Sequence, residues 1–563
     1  MAKTAFGIWV AAASLYGCTQ RTALVVRVSA GDHDTVRDDS GTDEPDGGAD
    51  DTGAGDPLDR CDGVVCTAVD ACHEAGACDP ATGLCANPEK PNGASCDDGD
   101  YCTEGDSCQS RVCTGTPIPF CLSVVFVDAQ AAGRGDGTTW QDAFVRLQDA
   151  LALSTAGTFV WVAGGVYVPG TAKTDTFQVG GGVEIYGGFS GRETNLDQRS
   201  WSENVTVLSG DGIGNDAGFV GNEENVYHVV TPGGDFAVID GFTITGGNAD
   251  YPTYDPALGR DRGGGIYNTE RLTVRHCTIV TNNAAYMGGA MYSAGAATIR
   301  SSVFRNNVAA NGGALATFAD HTIVDGLFLN NSASSGGALF HSGETWVASR
   351  VTSCRFIGNR ASYRGGAVLV TNTTPLFVGS VFTGNQANDR GGAVHTESNG
   401  RDRYVNCTFA SNTAGWGGAI RCDDVAPTPH PIIVNSVIWN NVPDAIPGCS
   451  AVATISYTCV QGGAAGTGNI VGDPLFADSN GTDNLPGTLD DDARLTAASP
   501  AIDACDNSAL PADLSDLDGD GNMAEPVSLD LDGSPRFVEV LGAGATGNGT
   551  PPLCDLGAYE LVP

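Results

Sequence analysis

Basic residues are scarce in this sequence. Its 28 Lys and Arg stand against 67 Asp and Glu, a formal charge of −39 over 563 residues. A phosphate backbone needs a basic face, so a nucleic-acid partner is excluded. Beyond residue 20 no apolar run is long enough to span a bilayer as a helix. Methionine (4 residues) and aromatics (7%) are few, and long helix-favouring side chains are under-represented. What the chain has instead is 78 glycines, spread among short Val- and Ile-rich runs. That pattern reads as many short strands joined by tight turns. The length exceeds what one ordinary core holds and suits several domains or one long solenoid. The acidity fits a soluble extracellular surface or a cation binder.

The start, MAKTAFGIWVAAASLYGCTQ, carries Lys3 ahead of a mostly apolar stretch over residues 5–17. That stretch is too short to cross a bilayer, so residues 1–17 read as a signal peptide. Leu15-Tyr16-Gly17-Cys18 resembles a bacterial lipobox, which implies that Cys18 is lipidated and attaches the chain to a membrane through lipid alone. Thr19 does not resemble an inner-membrane retention signal. The resemblance thus implies the outer membrane or cell surface. Residues 18–60 are acidic, Gly-rich and nearly free of large apolars, and read as a disordered tether.

Of the 19 cysteines, ten lie between Cys61 and Cys121. Residues 61–121 hold few large apolars, so disulfides must stabilise them, with a pairing that spacing leaves open. A zinc site is not indicated: no CxxC occurs there and His73 stands alone. The stretch CDDGDYCTEGDSC resembles small extracellular modules of the EGF or disintegrin type, implying a spacer or a protein-binding module.

The style changes at residue 122. Runs such as SVVFVDAQ, FVWVAGGVYV and FAVIDGFTITGG read as strands, while residues 138–153 place Trp140, Phe144, Leu147 and Leu151 on one helical face, a helix suited to capping an open β edge. Paired glycines then recur, beginning at Gly263, Gly288, Gly312, Gly336, Gly365, Gly391 and Gly417, at spacings of 24 to 29. A fixed period with one apolar strand and tight turns points to a solenoid, here a parallel β-helix. Coils stack about 4.8 Å apart, so equivalent slots form columns. Phe304, Phe328, Phe356, Phe382 and Phe409 should stack inside. Asn307, Asn331, Asn359, Asn385 and Asn412 should form a hydrogen-bonded ladder. Alanines such as Ala333 and Ala361 mark a narrow interior, and the glycines supply positive φ and close approach. Cys277, Cys354 and Cys407 share one inward column, and Cys354 and Cys407 lie two coils apart, beyond disulfide reach. They are expected as buried thiols.

FxxN followed by GGA[IVL] resembles the repeats of polymorphic outer-membrane proteins within the right-handed β-helix, pectin-lyase-like superfamily. VFVDAQAAGRGDGTTWQDAFVRLQDAL and VAGGVYVPG resemble the opening of bacterial surface proteins of that group. GDPLFAD, RLTAASPAIDACD, DLDGSPR and DLGAYE resemble its C-terminal, anchor-type block. The resemblance covers roughly 123–563 and implies an all-β fold: a right-handed parallel β-helix over 122–470 with a cap over 471–563. It also implies that Cys505 and Cys554, in adjoining parts of that cap, are bridged. It leaves activity open, because the superfamily includes lyases, hydrolases and adhesins. No outer-membrane barrel pattern of alternating strands follows residue 480.

Lyases of this group need clustered Asp holding Ca²⁺ and an Arg or Lys base. Arg262, Arg364 and Arg390 each precede a glycine pair and are the catalytic candidates, with Asp261 and Asp389 beside two of them. Adjacent Arg/Asp pairs are more often solvent-facing salt links. Asp423-Asp424 has no evident partner, and His321, His341, His395 and His430 look scattered. The insertion ADYPTYDPALGRDR carries Tyr251 and Tyr254, suited to stacking on sugar rings or a partner protein, or to packing as an ordinary Ω-loop. In DLDGDGNMAEP, Asp516, Asp518 and Asp520 at alternate positions before Gly521 resemble half a calcium loop, with Glu525 or Asp530 to complete it. The expectation is a monomeric surface lipoprotein that binds polysaccharide or a matrix protein without catalysis. The rival reading is a polysaccharide lyase or glycoside hydrolase.

Overall fold

The computed structural model describes residues 61, 64–96, 103–117, 123–343, 349–423, 431–443, 445–447, 449, 453–540 and 544–563. The signal peptide, the tether and Cys18 fall outside these residues, as do Asp424 and His430. The chain divides into two compact units, the first comprising residues up to 121 together with Thr194–Asp197 and the second the remaining residues from 122 on.

The first unit is held by covalent bonds. Disulfides join Cys61–Cys78, Cys66–Cys85, Cys72–Cys108 and Cys96–Cys113. A single antiparallel pair, Thr103–Gln109 with Val112–Pro117, is its main ladder. Its only buried hydrophobic side chains among the described residues are Cys72 and Cys108, themselves a bridge.

The second unit is a right-handed parallel β-helix with three faces. Face A has twelve strands from Ser123–Val127 to Thr454–Ser456, face B eleven from Gly165–Tyr167 to Cys459–Val460, and face C nine from Phe177–Val179 to Ile420–Cys422. Each strand pairs with its equivalent in the next coil, so the repeat columns are in register, as in Phe328↔Phe356 and Phe356↔Phe382, while an early face A pair shifts between Trp161 and Ala163. The Phe column is fully buried and stacked, with centroids 4.7–4.9 Å apart and planes within 6°. This is near the coil spacing, so the rings repeat at the pitch of the backbone.

The Asn ladder satisfies the turn after face B. Asn359 Oδ1 accepts from the backbone N of Asn331 at 3.0 Å, and Asn359 Nδ2 donates to Phe328 O at 2.8 Å and to Asn385 Oδ1 at 3.0 Å. The same set runs from Asn282 to Asn441, through Asn307, Asn331, Asn385 and Asn412. A second ladder turns face A into face B. Ser302, Ser380 and Ser436 accept from the amides of Cys277, Cys354 and Cys407, and Cys354 Sγ accepts from Gly326 N at 3.4 Å. The thiols of Cys277, Cys354 and Cys407 are buried and free, and burial pushes each up to about 12. Cys459 is a fourth free thiol, and Cys422 bonds Cys449 one coil on.

The paired glycines divide the work. The first has positive φ, 64° at Gly365 and 66° at Gly391. The second allows coils to touch: a Cβ on Gly366 would lie 2.0 Å from Gly392 O.

Two expectations are corrected. The capping helix is only Leu147–Leu153. Leu147 and Leu151 cover the core, whereas Trp140 packs with Phe126, Trp161 and Phe189 in a separate aromatic group. The backbone amide of Phe144 instead donates to Phe126 O, which ends helical continuity there. The C-terminal block is not confined to the end of the solenoid. It runs back along the flank as a strap: Asn406 donates to Asp555 O, Arg403 to Ala509 O, Arg350 to Ala512 O and Arg300 to Ser515 O. Arg300 lies six coils from the last face A strand, roughly 29 Å at about 4.8 Å per coil. Around Cys505–Cys554 the strap packs a small core against the solenoid's Val378, Val437 and Cys459, with Arg536 fully buried and donating to Leu529 O, Gly557 O and Ala558 O.

Candidate functional site on the outer face of the solenoid

Along a face C strand, side chains alternate in and out. Val394 and Thr396 are inward, so His395 and Glu397 project from the outer side. The coil below places Arg421 opposite His395 and Asp423 beyond it. The turn before the glycine pair places Arg364 and Arg390 side by side. Arg364, Arg390, His395, Glu397 and Asp423, which look scattered in sequence, therefore meet.

Arg364 Nη1 is in close contact with Glu397 Oε2. Arg390 Nη1 is 3.1 Å from Asp423 Oδ1, and its Nε is 3.3 Å from Asp389 Oδ2. His395 Nε2 sits between the carboxylates, 3.5 Å from Asp423 Oδ2 and 3.7 Å from Glu397 Oε2. These exceed a well-formed hydrogen bond. His395 is 0% exposed, and neither ring nitrogen has a hydrogen-bond partner. Glu397 and Asp423 are partly exposed and open the cluster to solvent.

Arg262 shares the column of Arg364 and Arg390 but lies four coils from Arg364, roughly 19 Å at about 4.8 Å per coil, and five from Arg390. It is buried against Asp261, with Nε–Oδ1 at 2.9 Å, and its guanidinium lies over Tyr254 and Tyr292. Burial works against its charge, but the hydrogen bonds to Asp261 and Tyr292 and the charge of Asp261 together outweigh it and raise its pKa, so it stays charged. The three arginines do not form one site. Arg262 braces the insertion loop.

In that loop, Tyr251 is half-buried beneath Arg260, whose guanidinium is 3.9 Å from its ring. Tyr254 is 65% exposed and meets Tyr286 edge-on at 5.6 Å. Tyr286, Tyr363 and Trp416 are also exposed at glycine-pair turns. Beside them on face C runs an outward aromatic strip: Tyr267 stacks on Tyr292 at 5.5 Å, followed by Phe318 and Phe340, then Leu369 and His395. An apolar lane thus leads into the charged cluster.

The acidic loop of the strap brings Asp516, Asp518 and Asp520 within 4.8 Å of one another. Glu525 joins them through Asn522. Asp530 does not: it is buried and accepts from the amides of Asp532, Ser534 and Glu560. Four nearby carboxylates suit an oxygen-seeking cation.

His395 and Glu397 were missed in the sequence reading, yet they carry a signal: HTE puts them on one side of a strand, and Asp423 follows Glu397 by 26 residues, one coil.

Residues 379–397 and 406–423 match the model for the Chlamydia polymorphic membrane protein repeat. These two segments contain Arg390, His395, Glu397, Arg421 and Asp423. No curated protein matches the chain. Among solved structures the chain is similar to pectate lyase Pel9A, at 14% identity and a TM-score of 0.39, over 78% of this chain and 96% of that one.

Proposed function

We propose that this β-helix protein, carrying repeats of the polymorphic membrane protein type, is displayed outside the cell and binds an extended ligand without cleaving it. The ligand class is a polysaccharide or a matrix protein, and the protein acts as a monomer held to the outer membrane by lipid on Cys18. The observation that carries the binding reading is the line of exposed Tyr254, Tyr286, Tyr363 and Trp416 beside arginines on one edge. Aromatic faces stack on sugar rings and arginines pair with their acidic groups. Export is supported by six disulfides among the described residues, which persist only in an oxidising compartment.

A catalytic reading draws on the His395, Glu397 and Asp423 cluster. Both carboxylates are occupied by arginines, and Arg262 is sequestered, which favours binding. Ca²⁺ on Asp516, Asp518, Asp520 and Glu525 is proposed as a strap-ordering ion.

The test is binding to a panel of acidic polysaccharides, with product analysis in the same samples and with or without Ca²⁺. Retention lost in Tyr254→Ala and Trp416→Ala, with no chain shortening, supports the reading. Unsaturated or reducing ends from the wild type would replace it with the lyase or hydrolase. Cys18→Ser should move the protein from membranes to the medium, and unchanged fractionation would remove the lipid anchor.

A further inference from the structure

We propose that His395, Glu397 and Asp423 form a binding site for a divalent transition-metal ion of the Zn²⁺ class, independent of the carbohydrate reading. The site starts from a buried imidazole with two unsatisfied nitrogens. Leaving a buried polar group unpaired is costly, so a partner is expected. Nε2 faces two carboxylate oxygens at 3.5 and 3.7 Å. Those separations are too long for direct hydrogen bonds, yet they fit ligands that share one ion. With metal–N and metal–O bonds of about 2.0–2.2 Å, a tetrahedral edge is about 3.4 Å. All three ligand atoms lie within 4.8 Å of one another.

The donor set selects the ion. One imidazole and two carboxylates suit Zn²⁺ or a similar first-row ion. Ca²⁺ takes six to eight oxygens, which this cluster lacks. Arg364 contacts Glu397 Oε2 and Arg390 donates to both oxygens of Asp423, so the arginines share the carboxylates that face the imidazole and fix their position, as hydrogen bonds to ligating carboxylates do at metal centres. Three protein donors leave a coordination position toward the solvent-exposed side, where water or a ligand oxygen would bind. The acidic strap loop offers oxygens alone and should not compete for Zn²⁺.

The experiment uses the full mature chain, dialysed against chelator and then titrated with ZnCl₂ by calorimetry, with metal content measured after gel filtration. One ion per chain is expected. His395→Gln and Asp423→Asn should each weaken binding by at least about tenfold, the loss that removing even an outer-shell partner brings. Asp518→Asn should leave it unchanged. Circular dichroism checks folding. Should His395→Gln fail to fold, Asp423→Asn and Glu397→Gln, both partly exposed, carry the test, and the absorption of the Co²⁺ form reports nitrogen and oxygen donors in the wild type. No uptake by the wild type, or equal affinity in the folded variants, overturns the proposal.

Discussion

Gly384 and Gly487 touch across the flank of the solenoid: a Cβ on Gly384 would lie 2.2 Å from Gly487 Cα. Gly384 follows Phe382 by two residues in a turn with φ of 58°. The equivalent slot is Asn306 and Asn330 in earlier coils, also at positive φ, and Gly358 in the neighbouring one. Gly358 likewise faces Gly487, with its Cβ position 2.6 Å from Gly487 O. Glycine therefore stands where the strap passes. Gly384→Ala should destabilise by about 1–2 kcal/mol from the left-handed backbone alone. Gly384→Asn tolerates that backbone, so a loss of strap protection in hydrogen exchange would isolate the clash. Equal protection in wild type and Gly384→Asn would show that the strap does not need the contact.

Phe356 is sandwiched between Phe328 and Phe382 at 4.7 and 4.8 Å and is fully buried. Phe356→Ala should cost about 3–5 kcal/mol by denaturant unfolding. A loss below about 1 kcal/mol would contradict the stacked interior.

Asn359→Ala removes the acceptor of the Asn331 amide and the donor to Phe328 O, both buried. At about 1–3 kcal/mol for each orphaned group, the expected loss is at least about 2 kcal/mol. Hydrogen exchange should show the opening in the coils of Asn331 and Asn385 first, because each coil contacts only its neighbours.

The strap should weaken with rising pH. Burial, and then the nearby Asp555 charge, pushes Glu560 up to about 9, and burial pushes Asp555 up to about 6. Unfolded carboxyls titrate near 4, so the folded strap binds more protons between about pH 4 and pH 9. Its stability is full below that window and is lost as pH rises through it. Glu560→Gln should flatten the upper half of the profile, as measured by the strap's denaturation midpoint at pH 5, 7 and 9. A midpoint in the wild type that rises from pH 5 to 9 would refute the assignment.

Cys505 and Cys554 close a separation of 49 residues. Restricting an unfolded loop of that length contributes about 4 kcal/mol. Cys505→Ala with Cys554→Ala should release the strap at lower denaturant while the solenoid transition stays in place. Coincident loss of both would mean that the strap is needed for the coils themselves.

The sequence by itself determined the solenoid. A slot such as Phe356 or Asn359 meets its own equivalents 24 to 29 residues away, so stacking prints the period directly on the chain. The alternation of a strand even encodes which side His395 and Glu397 face. Tertiary structure alone decided the rest. Trp140 left the helical face because Phe144 bonds the backbone of Phe126 and Asp128 instead of continuing a helix. The course of the strap follows from contacts between a non-repeating segment and a repeating one, such as Asn406 with Asp555, which share no period. The meeting of Arg364, Arg390, His395, Glu397 and Asp423 depends on register between turns and strands of successive coils, and on side chains that bend back over the face. Stacking forces act along the columns and leave their mark in the repeat, whereas forces across the surface join unlike residues once and leave none.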